Sequence, residues 1–282
     1  MRLASLFSFT RTLKPSWEYA PGASIWRMIP TSDGHLIGES RDEGAKKVDF
    51  FSIELSTGKP VWEHKEAGED WWIGVDVVLE DVVLLHLFAR PDMPEHAGLV
   101  ALDRKTGTVL WKKPEVQLRG CRTGAIVVRR QGSSEEDETL LHPTSGDMLD
   151  AADIPESSEG TGFRDPEGVI YPVPVDQGSP GWELFRRVLG RRTLIGMCEA
   201  VQVEDRWIFS YHATEEESSP GPFTHEIAIM DDAGRTLFKD VLHESAHMPV
   251  YDAFFVQHQR VHYIRREKKL VCVDVSTVQG RS

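Results

Sequence analysis

The sequence predicts an all-β fold of repeated four-stranded antiparallel sheets, and three observations predict it. A strand–turn–strand unit recurs along the chain, its copies follow a regular spacing, and the start of the chain repeats a strand that its end lacks. The clearest copies of the unit are residues 53–62 and 102–111. Each copy has an alternating strand, a tight Thr-Gly turn in which glycine supplies a positive φ, and a second strand that carries a tryptophan.

The spacing of the turns indicates the size of the repeated sheet. Four fainter copies of the turn follow, at Gly146, Gly190, Gly234 and Val278. From Gly58 onward, five steps cover 220 residues, and the mean step of 44 residues is typical of a four-stranded propeller blade. The copy at Gly190 is the weakest, since residues 182–189 could equally form a short helix.

The two ends of the chain predict how the fold closes. Residues 12–18 align with residues 57–63, which contain the turn and the strand that follows it. The last repeat has no room for its fourth strand, so we predict that the N-terminal strand around Trp17 completes the blade that contains 271–275. Counting this shared blade once gives a six-bladed β-propeller, with five or seven blades as alternatives, in a single domain that spans residues 1–282.

The turn sequence also resembles a known repeat. Asp103-Arg104-Lys105-Thr106-Gly107 with Leu110-Trp111 is similar to the repeat of the quinoprotein (pyrroloquinoline-quinone-like, PQQ-like) β-propellers. That superfamily includes alcohol dehydrogenases and a non-catalytic outer-membrane assembly lipoprotein. The whole chain resembles an uncharacterised bacterial family, a domain of unknown function, within this group. Such membership implies a fold and no particular activity.

Composition limits the classes of partner. The formal net charge of −13 opposes binding to nucleic-acid phosphates, so nucleic acid is not expected as a partner. The three cysteines are widely spaced and predict neither a disulfide framework nor a zinc ribbon. Residues 1–11 lack a small-x-small cleavage site, and no stretch has the roughly 18 consecutive apolar residues of a membrane span. We therefore expect a soluble, cytoplasmic, monomeric protein.

The fold predicts where a binding site would lie. In a propeller, the inner strands and the loops that lead into them gather around one mouth of the channel, and binding residues usually lie on such loops. A basic and aromatic mouth on an acidic protein could attract a small anionic molecule, a peptide carboxylate or a protein. The expected ligand-binding residues are Trp26, Arg27, Trp71, Trp72, Arg119, Arg122 and Tyr251.

Residues 243–247 match the H-E-x-x-H pattern of zinc proteases, which requires a helix that carries both histidines on one face. The segment falls between predicted strands, and Pro249 follows closely, so this interpretation is disfavoured. A looser metal site or an acid–base role for His243, Glu244, His247 and Asp252 stays open as the weak catalytic alternative. His86, between two leucines, is interpreted as a hydrogen-bonded core histidine.

The sequence favours binding over catalysis. Quinone-dependent oxidation is not expected, because the dehydrogenases of the superfamily use adjacent cysteines, and this chain has none. No nucleotide-binding glycine loop is found, and no cofactor or confident metal site is predicted. The first hypothesis is a non-catalytic binding or scaffold propeller. The alternative is a hydrolase-like or lyase-like enzyme, with or without assistance from a metal ion, centred on residues 243–247.

Overall fold

Strands dominate the structure, which confirms the predicted all-β class. The computed structural model describes residues 12–65, 67–90, 93–134, 137–150, 166–215 and 221–276. These residues form one helix, α1 (Pro180–Leu189), and 22 strands. In chain order the strands are β1 (Pro15–Tyr19), β2 (Ser24–Pro30), β3 (His35–Asp42), β4 (Lys47–Glu54), β5 (Pro60–Lys65), β6 (Ile73–Val78), β7 (Val82–Arg90), β8 (Met93–Asp103), β9 (Val109–Lys113), β10 (Val116–Arg122), β11 (Ala125–Arg130), β12 (Glu138–Leu141), β13 (Met148–Leu149), β14 (Val169–Ile170), β15 (Val173–Pro174), β16 (Thr193–Val203), β17 (Arg206–Thr214), β18 (Phe223–Asp231), β19 (Thr236–Ala246), β20 (Phe254–Gln257), β21 (Arg260–Arg265) and β22 (Lys269–Asp274).

The chain forms two compact units. The central unit, Pro21–Glu167, holds three four-stranded sheets in the orders β2-β3-β4-β5, β6-β7-β8-β9 and β10-β11-β12-β13. The terminal unit consists of Met1–Ala20 and Gly168–Ser282. It holds two five-stranded sheets, in the orders β15-β16-β17-β18-β19 and β1-β22-β21-β20-β14. Neighbouring strands in all five sheets are antiparallel.

The N-terminal strand adds to the C-terminal sheet, as the alignment of the chain ends predicted. Trp17 lies opposite Cys272, and Tyr19 lies opposite Leu270. The Glu18 carboxylate extends this contact, because Arg265 donates a hydrogen bond of 2.6 Å to it. Residues that are some 250 positions apart in sequence therefore form one edge of the terminal unit.

The Thr-Gly turns have the predicted backbone. Gly58 and Gly107 have φ of 70° and 68°, in the left-handed region that a glycine adopts readily. In the second turn, the Gly107 amide donates to the Asp103 carbonyl at 2.8 Å. The Asp103 carboxylate accepts from the amides of Lys105 and Thr106, so the acidic residue before the turn caps it.

The repeat turn at Gly190 is wrong, and the alternative of a short helix at 182–189 is confirmed. Ser179 caps the N-terminus of α1 by accepting from the Trp182 amide, and Gly190 ends the helix at φ 66°. A helix C-terminus and a hairpin turn both favour a glycine at positive φ, so spacing alone could not separate them. After Gly190, the next turn glycine, Gly234, lies between β18 and β19 of the β15–β19 sheet, so among the described residues the helix replaces one predicted turn. The described residues consequently form five sheets, where the repeat count predicted six and allowed five as an alternative.

The cores lie between neighbouring sheets of each unit. In the central unit, Val83 and Leu85 of β7 pack toward the β2–β5 sheet, whereas Leu84 packs toward the β10–β13 sheet. Both faces of this middle sheet are buried, which explains its nearly continuous apolar sequence. In the terminal unit, Phe185 of α1 packs on β17, with its ring centroid 5.2 Å from that of Tyr211. No helix in the described part of the chain is long and apolar enough to cross a membrane.

Replacing Gly107 with valine should lower the free energy of unfolding by about 1–2 kcal/mol, because a β-branched residue is strained at positive φ. Gly120→Ala is the matched control. Gly120 is not at positive φ, and nothing lies within 4 Å of where its Cβ would be. Urea unfolding of both variants tests the turn. Equal stability of Gly107→Val and the wild type would show that this turn does not need glycine.

Candidate functional site

The first strand of each sheet in the central unit carries a β-bulge. In β2 the extra residue is Trp26, in β6 it is Asp76, and in β10 it is Arg119. A bulge leaves one residue outside the regular pairing and turns its side chain away from the alternating pattern. Bulges are common beside functional sites for this reason. Two of the three bulged residues, Trp26 and Arg119, are among those that the sequence predicted for ligand binding.

Trp26 is the most exposed large aromatic side chain among the described residues, at 53%. Its ring meets that of Trp71 edge-on, with 6.4 Å between the ring centroids. The Arg41 guanidinium lies over both rings, 4.8 Å from the Trp26 centroid and 5.1 Å from that of Trp71. Lys46 lies 4.5 Å from the Trp71 centroid. Cations therefore brace both rings, and Trp71 also packs against the apolar core of the central unit.

A buried ion pair supports these rings. Arg41 donates to Glu39 at 2.7 Å and to the Trp71 carbonyl at 2.9 Å. The second oxygen of Glu39 accepts from the Val75 amide at 2.9 Å, and Arg27 donates to the Val75 carbonyl at 2.6 Å. Side chains of β2 and β3 therefore hold the backbone of β6 just before its bulge. Each buried charge has a hydrogen-bonded partner, as burial requires.

One group of side chains in the described residues has the spacing of metal ligands. It consists of Asp76, His86 and His96, whose candidate ligand atoms all lie within 4.8 Å of one another. The rings of His86 and His96 stack, with 3.5 Å between their centroids. Phe88 meets both rings edge-on. The His86 ring also lies across the sheet from Gly74, where a Cβ would be 3.2 Å from Nε2.

Burial governs the ionisation of this group. Desolvation, aided by the charges of His96 and Arg27, lowers the pKa of His86 to about 3, so its imidazole is neutral at pH 7. Desolvation also raises the pKa of Asp76. The expectation that His86 is buried is confirmed. Its Nδ1, however, has no hydrogen-bond partner among the described residues, so the interpretation as a satisfied core histidine is wrong.

The remaining predicted ligand-binding residues are dispersed. Trp72, 37% exposed, lies against Phe88, with 6.0 Å between the ring centroids. Arg119 and Arg122 are exposed on β10. Tyr251 belongs to the terminal unit, where its hydroxyl accepts from the Met197 amide at 3.4 Å. The structure therefore brings together Trp26, Arg27 and Trp71, with Trp72 adjacent in sequence.

The terminal unit contains a row of histidines across three strands. His212, His225 and His243 are cross-strand neighbours on β17, β18 and β19. The first two stack, with 3.9 Å between the ring centroids, and the Nε2 atom of His225 lies 2.8 Å from the Ser210 hydroxyl. Burial lowers the pKa of His212 to about 4 and, with the neighbouring charges of His212 and His243, that of His225 to about 3. Ser210 is itself buried, so this pair does not face solvent.

The H-E-x-x-H segment is not a zinc-protease helix. Strand β19 runs through His243 and Glu244 to Ala246, which confirms the objection made from the sequence. His243 Nε2 lies 3.4 Å from the Glu267 carboxylate, and Glu244 forms an ion pair with Arg266.

The other two catalytic candidates lie after this strand. His247 follows its end and is exposed. Asp252 donates its amide to the Glu199 carboxylate at 3.1 Å. Within the described residues, His243, Glu244, His247 and Asp252 do not form a group with metal-ligand spacing.

Comparisons with known proteins add little about function. A family model, described as domain of unknown function DUF4905, matches residues 29–111, which is less than half of the chain. The match includes Asp76, His86 and His96. No curated protein matches the sequence.

Two solved structures are similar along most of the chain, at low identity. The first is an uncharacterized protein from Listeria monocytogenes, with 8% identity, a TM-score of 0.32 and coverage of 93% of this chain and 97% of the other. The second is the β-propeller domain of the Trilobed protease from Pyrococcus furiosus, with 9% identity, a TM-score of 0.30 and coverage of 90% and 66%. TM-scores at this level assign neither a fold nor an activity.

A buried histidine of the terminal unit gives a test of the ionisation pattern. His262 stacks on Phe255 at 4.9 Å, and burial lowers its pKa to about 3. Because the unfolded chain takes up a proton below about pH 6.5 and the folded chain does not, stability is lost as the pH falls through this range. When the pH falls from 7 to 5, the free energy of unfolding of the wild type should therefore decrease by about 2 kcal/mol more than that of His262→Phe.

Urea unfolding at the two pH values measures this difference. Met248→Ala, which removes an exposed side chain that does not titrate, is the control and should keep the pH dependence of the wild type. If His262→Phe and the wild type lose the same free energy of unfolding, His262 is protonated in the folded state at pH 5.

Proposed function

We propose that the protein is a non-catalytic binding protein whose ligand is an anion with an aromatic or apolar portion. The ligand would bind at the tryptophan patch, defined as Trp26, Arg27, Trp71 and Trp72. The single observation that carries this proposal is the 53% exposure of Trp26 on a bulge, where its ring is braced by a buried arginine. Exposed, rigidly held tryptophans are typical of binding surfaces, since their rings lose little conformational freedom on contact.

The charges at the patch favour an anion. Arg27 is exposed, and its single hydrogen bond to a described residue, the one to the Val75 carbonyl, fixes the guanidinium and leaves further N–H groups for a ligand. Lys46 is exposed above Trp71. Arg41, by contrast, is already bound to Glu39 and to backbone carbonyls. The net charge of −13 argues against a polyanion such as nucleic acid, so the expected ligand is a small molecule or a peptide carboxylate.

The fold of the whole chain is the second part of the proposal. We infer that residues 1–282 form one β-propeller domain of the PQQ-like type, in which the β1–β22 pairing completes the last blade. The four-stranded antiparallel sheets of the central unit and the terminal pairing support this inference. Five blades fit the five observed sheets better than six.

The enzymatic alternative at residues 243–247 has weaker support. Its two candidates on β19 already have side-chain partners, since His243 lies against the Glu267 carboxylate and Glu244 forms an ion pair with Arg266. The side-chain pair of Ser210 and His225, on the neighbouring strands, is buried. A nucleophile needs access to its substrate, so this arrangement favours a structural role.

The probe for the binding proposal is 8-anilinonaphthalene-1-sulfonate, a fluorescent aromatic anion. The wild type should bind it saturably, and Trp26→Ala and Arg27→Gln should each weaken binding about tenfold, because truncating an anchor residue costs roughly 1.4 kcal/mol or more. Fluorescence titration measures the dissociation constants.

Matched controls exist in the same unit. Met148→Ala removes an apolar side chain that is 76% exposed, and Arg130→Gln removes an exposed arginine. Both control variants should bind like the wild type. Unchanged affinity in Trp26→Ala, or the same loss in all four variants, would contradict the proposed site.

A further inference from the structure

We propose that Asp76, His86 and His96 bind a divalent transition-metal ion of the zinc class. The three side chains offer one carboxylate oxygen and two imidazole nitrogens, all within 4.8 Å of one another. This donor set suits zinc and related first-row ions, and it leaves coordination positions for water or a ligand. This inference does not depend on the tryptophan patch, since a metal ion can bind with no organic ligand present.

The fold places the three donors together from three adjacent strands. Asp76 is the bulge residue of β6, between the Val75–Leu85 and Val77–Leu84 pairs. His86 lies on β7, and His96 on β8 is the cross-strand partner of Phe88, two residues beyond His86. Without the bulge, a residue at position 76 would follow the regular alternation of its strand. The bulge therefore occurs at the residue whose carboxylate lies beside the two histidines.

A metal ion would explain the environment of His86. The residue is only 3% exposed, and its Nδ1 has no hydrogen-bond partner among the described residues. A buried imidazole nitrogen without a partner is costly and calls for a specific explanation. The candidate ligand atoms of Asp76 and His86 lie within 4.8 Å of each other, a spacing that one shared metal ion would bridge.

The ring geometry requires a small adjustment. The imidazoles of His86 and His96 are nearly parallel, with 5° between their planes, so their in-plane lone pairs do not yet converge. His96 is exposed, and rotation of its ring can direct a nitrogen at an ion held by Asp76 and His86. Gly74 lies across the sheet from His86, and its missing side chain leaves room beside the His86 ring.

The surrounding charges do not exclude a cation. Arg27 and Arg41 approach the group, but Arg41 is neutralised by its ion pair with the buried Glu39. Asp76 adds a further carboxylate on the side of the bulge. The group thus has local carboxylates to balance the arginines, and a bound ion would sit between carboxylate and imidazole donors.

The test is a calorimetric titration. Metals are first removed from the whole protein with a chelator, and Zn²⁺ alone is then added while the heat of binding is measured. The wild type should bind one equivalent. Asp76→Asn and His96→Ala should each weaken binding at least tenfold, since each removes one of three protein ligands. With Co²⁺ in place of Zn²⁺, the visible absorption band of the bound ion should appear in the wild type and fade in both variants.

His142→Gln is the matched control, because His142 is an exposed histidine of the same unit. It should bind Zn²⁺ like the wild type. Less than one equivalent bound to the wild type, wild-type affinity in both ligand variants, or an equal loss in the control would each overturn the proposal. The titration contains no aromatic anion, so its failure leaves the result at the tryptophan patch unaffected.

Discussion

The central unit depends on a hydrogen bond that repeats from one sheet to the next. The buried indole of Trp62, on β5, donates to the Arg104 carbonyl in the turn after β8, at 2.9 Å. One repeat later, the Trp111 indole on β9 donates to the Pro143 carbonyl after β12, at 2.8 Å. A buried indole N–H needs an acceptor, and here the acceptor belongs to the neighbouring sheet. The tryptophan of the repeated unit therefore joins consecutive sheets as well as filling space between them.

Arg104 strengthens the same junction. Its guanidinium donates two hydrogen bonds to the Asp33 carboxylate, at 3.0 and 2.8 Å, so the turn after β8 is bound to the β2–β5 sheet by side chain and by backbone. With the sheets held at this spacing, Arg27 reaches β6, and Glu39 accepts from the backbone beside the bulge. The candidate site follows from these contacts, because its residues come from strands of two joined sheets.

Local signals made part of this structure predictable. The turns at Gly58 and Gly107 were found because a glycine at positive φ and the strand pattern on either side are both encoded within ten residues. The N-terminal strand was found because it repeats the sequence around Trp62. The sequence left Gly190 open between a turn and the end of a short helix, because a helix C-terminus favours the same backbone at glycine, and the structure has the helix.

The candidate site was predictable only where it is aromatic or basic. Trp26 and Trp71 stood out by residue type, whereas Asp76 and His96 did not. The bulge that displaces Asp76 is defined by its pairing with β7, which no local pattern shows. His86 was interpreted as a core residue because leucines flank it, and its burial agrees. That its Nδ1 has no partner within the described part of the chain depends on which polar groups the fold brings near, and this is a tertiary property.

Hydrogen exchange of the tryptophan indole groups, followed by NMR, tests the central junction most directly. The indole N–H of Trp62 and Trp111 should exchange slowly, at the rate of global opening of the central unit, because each is held by a carbonyl of the next sheet. The exposed Trp26 provides the internal reference and should exchange rapidly. Exchange of Trp62 and Trp111 as fast as that of Trp26 would show that these hydrogen bonds do not hold the sheets together.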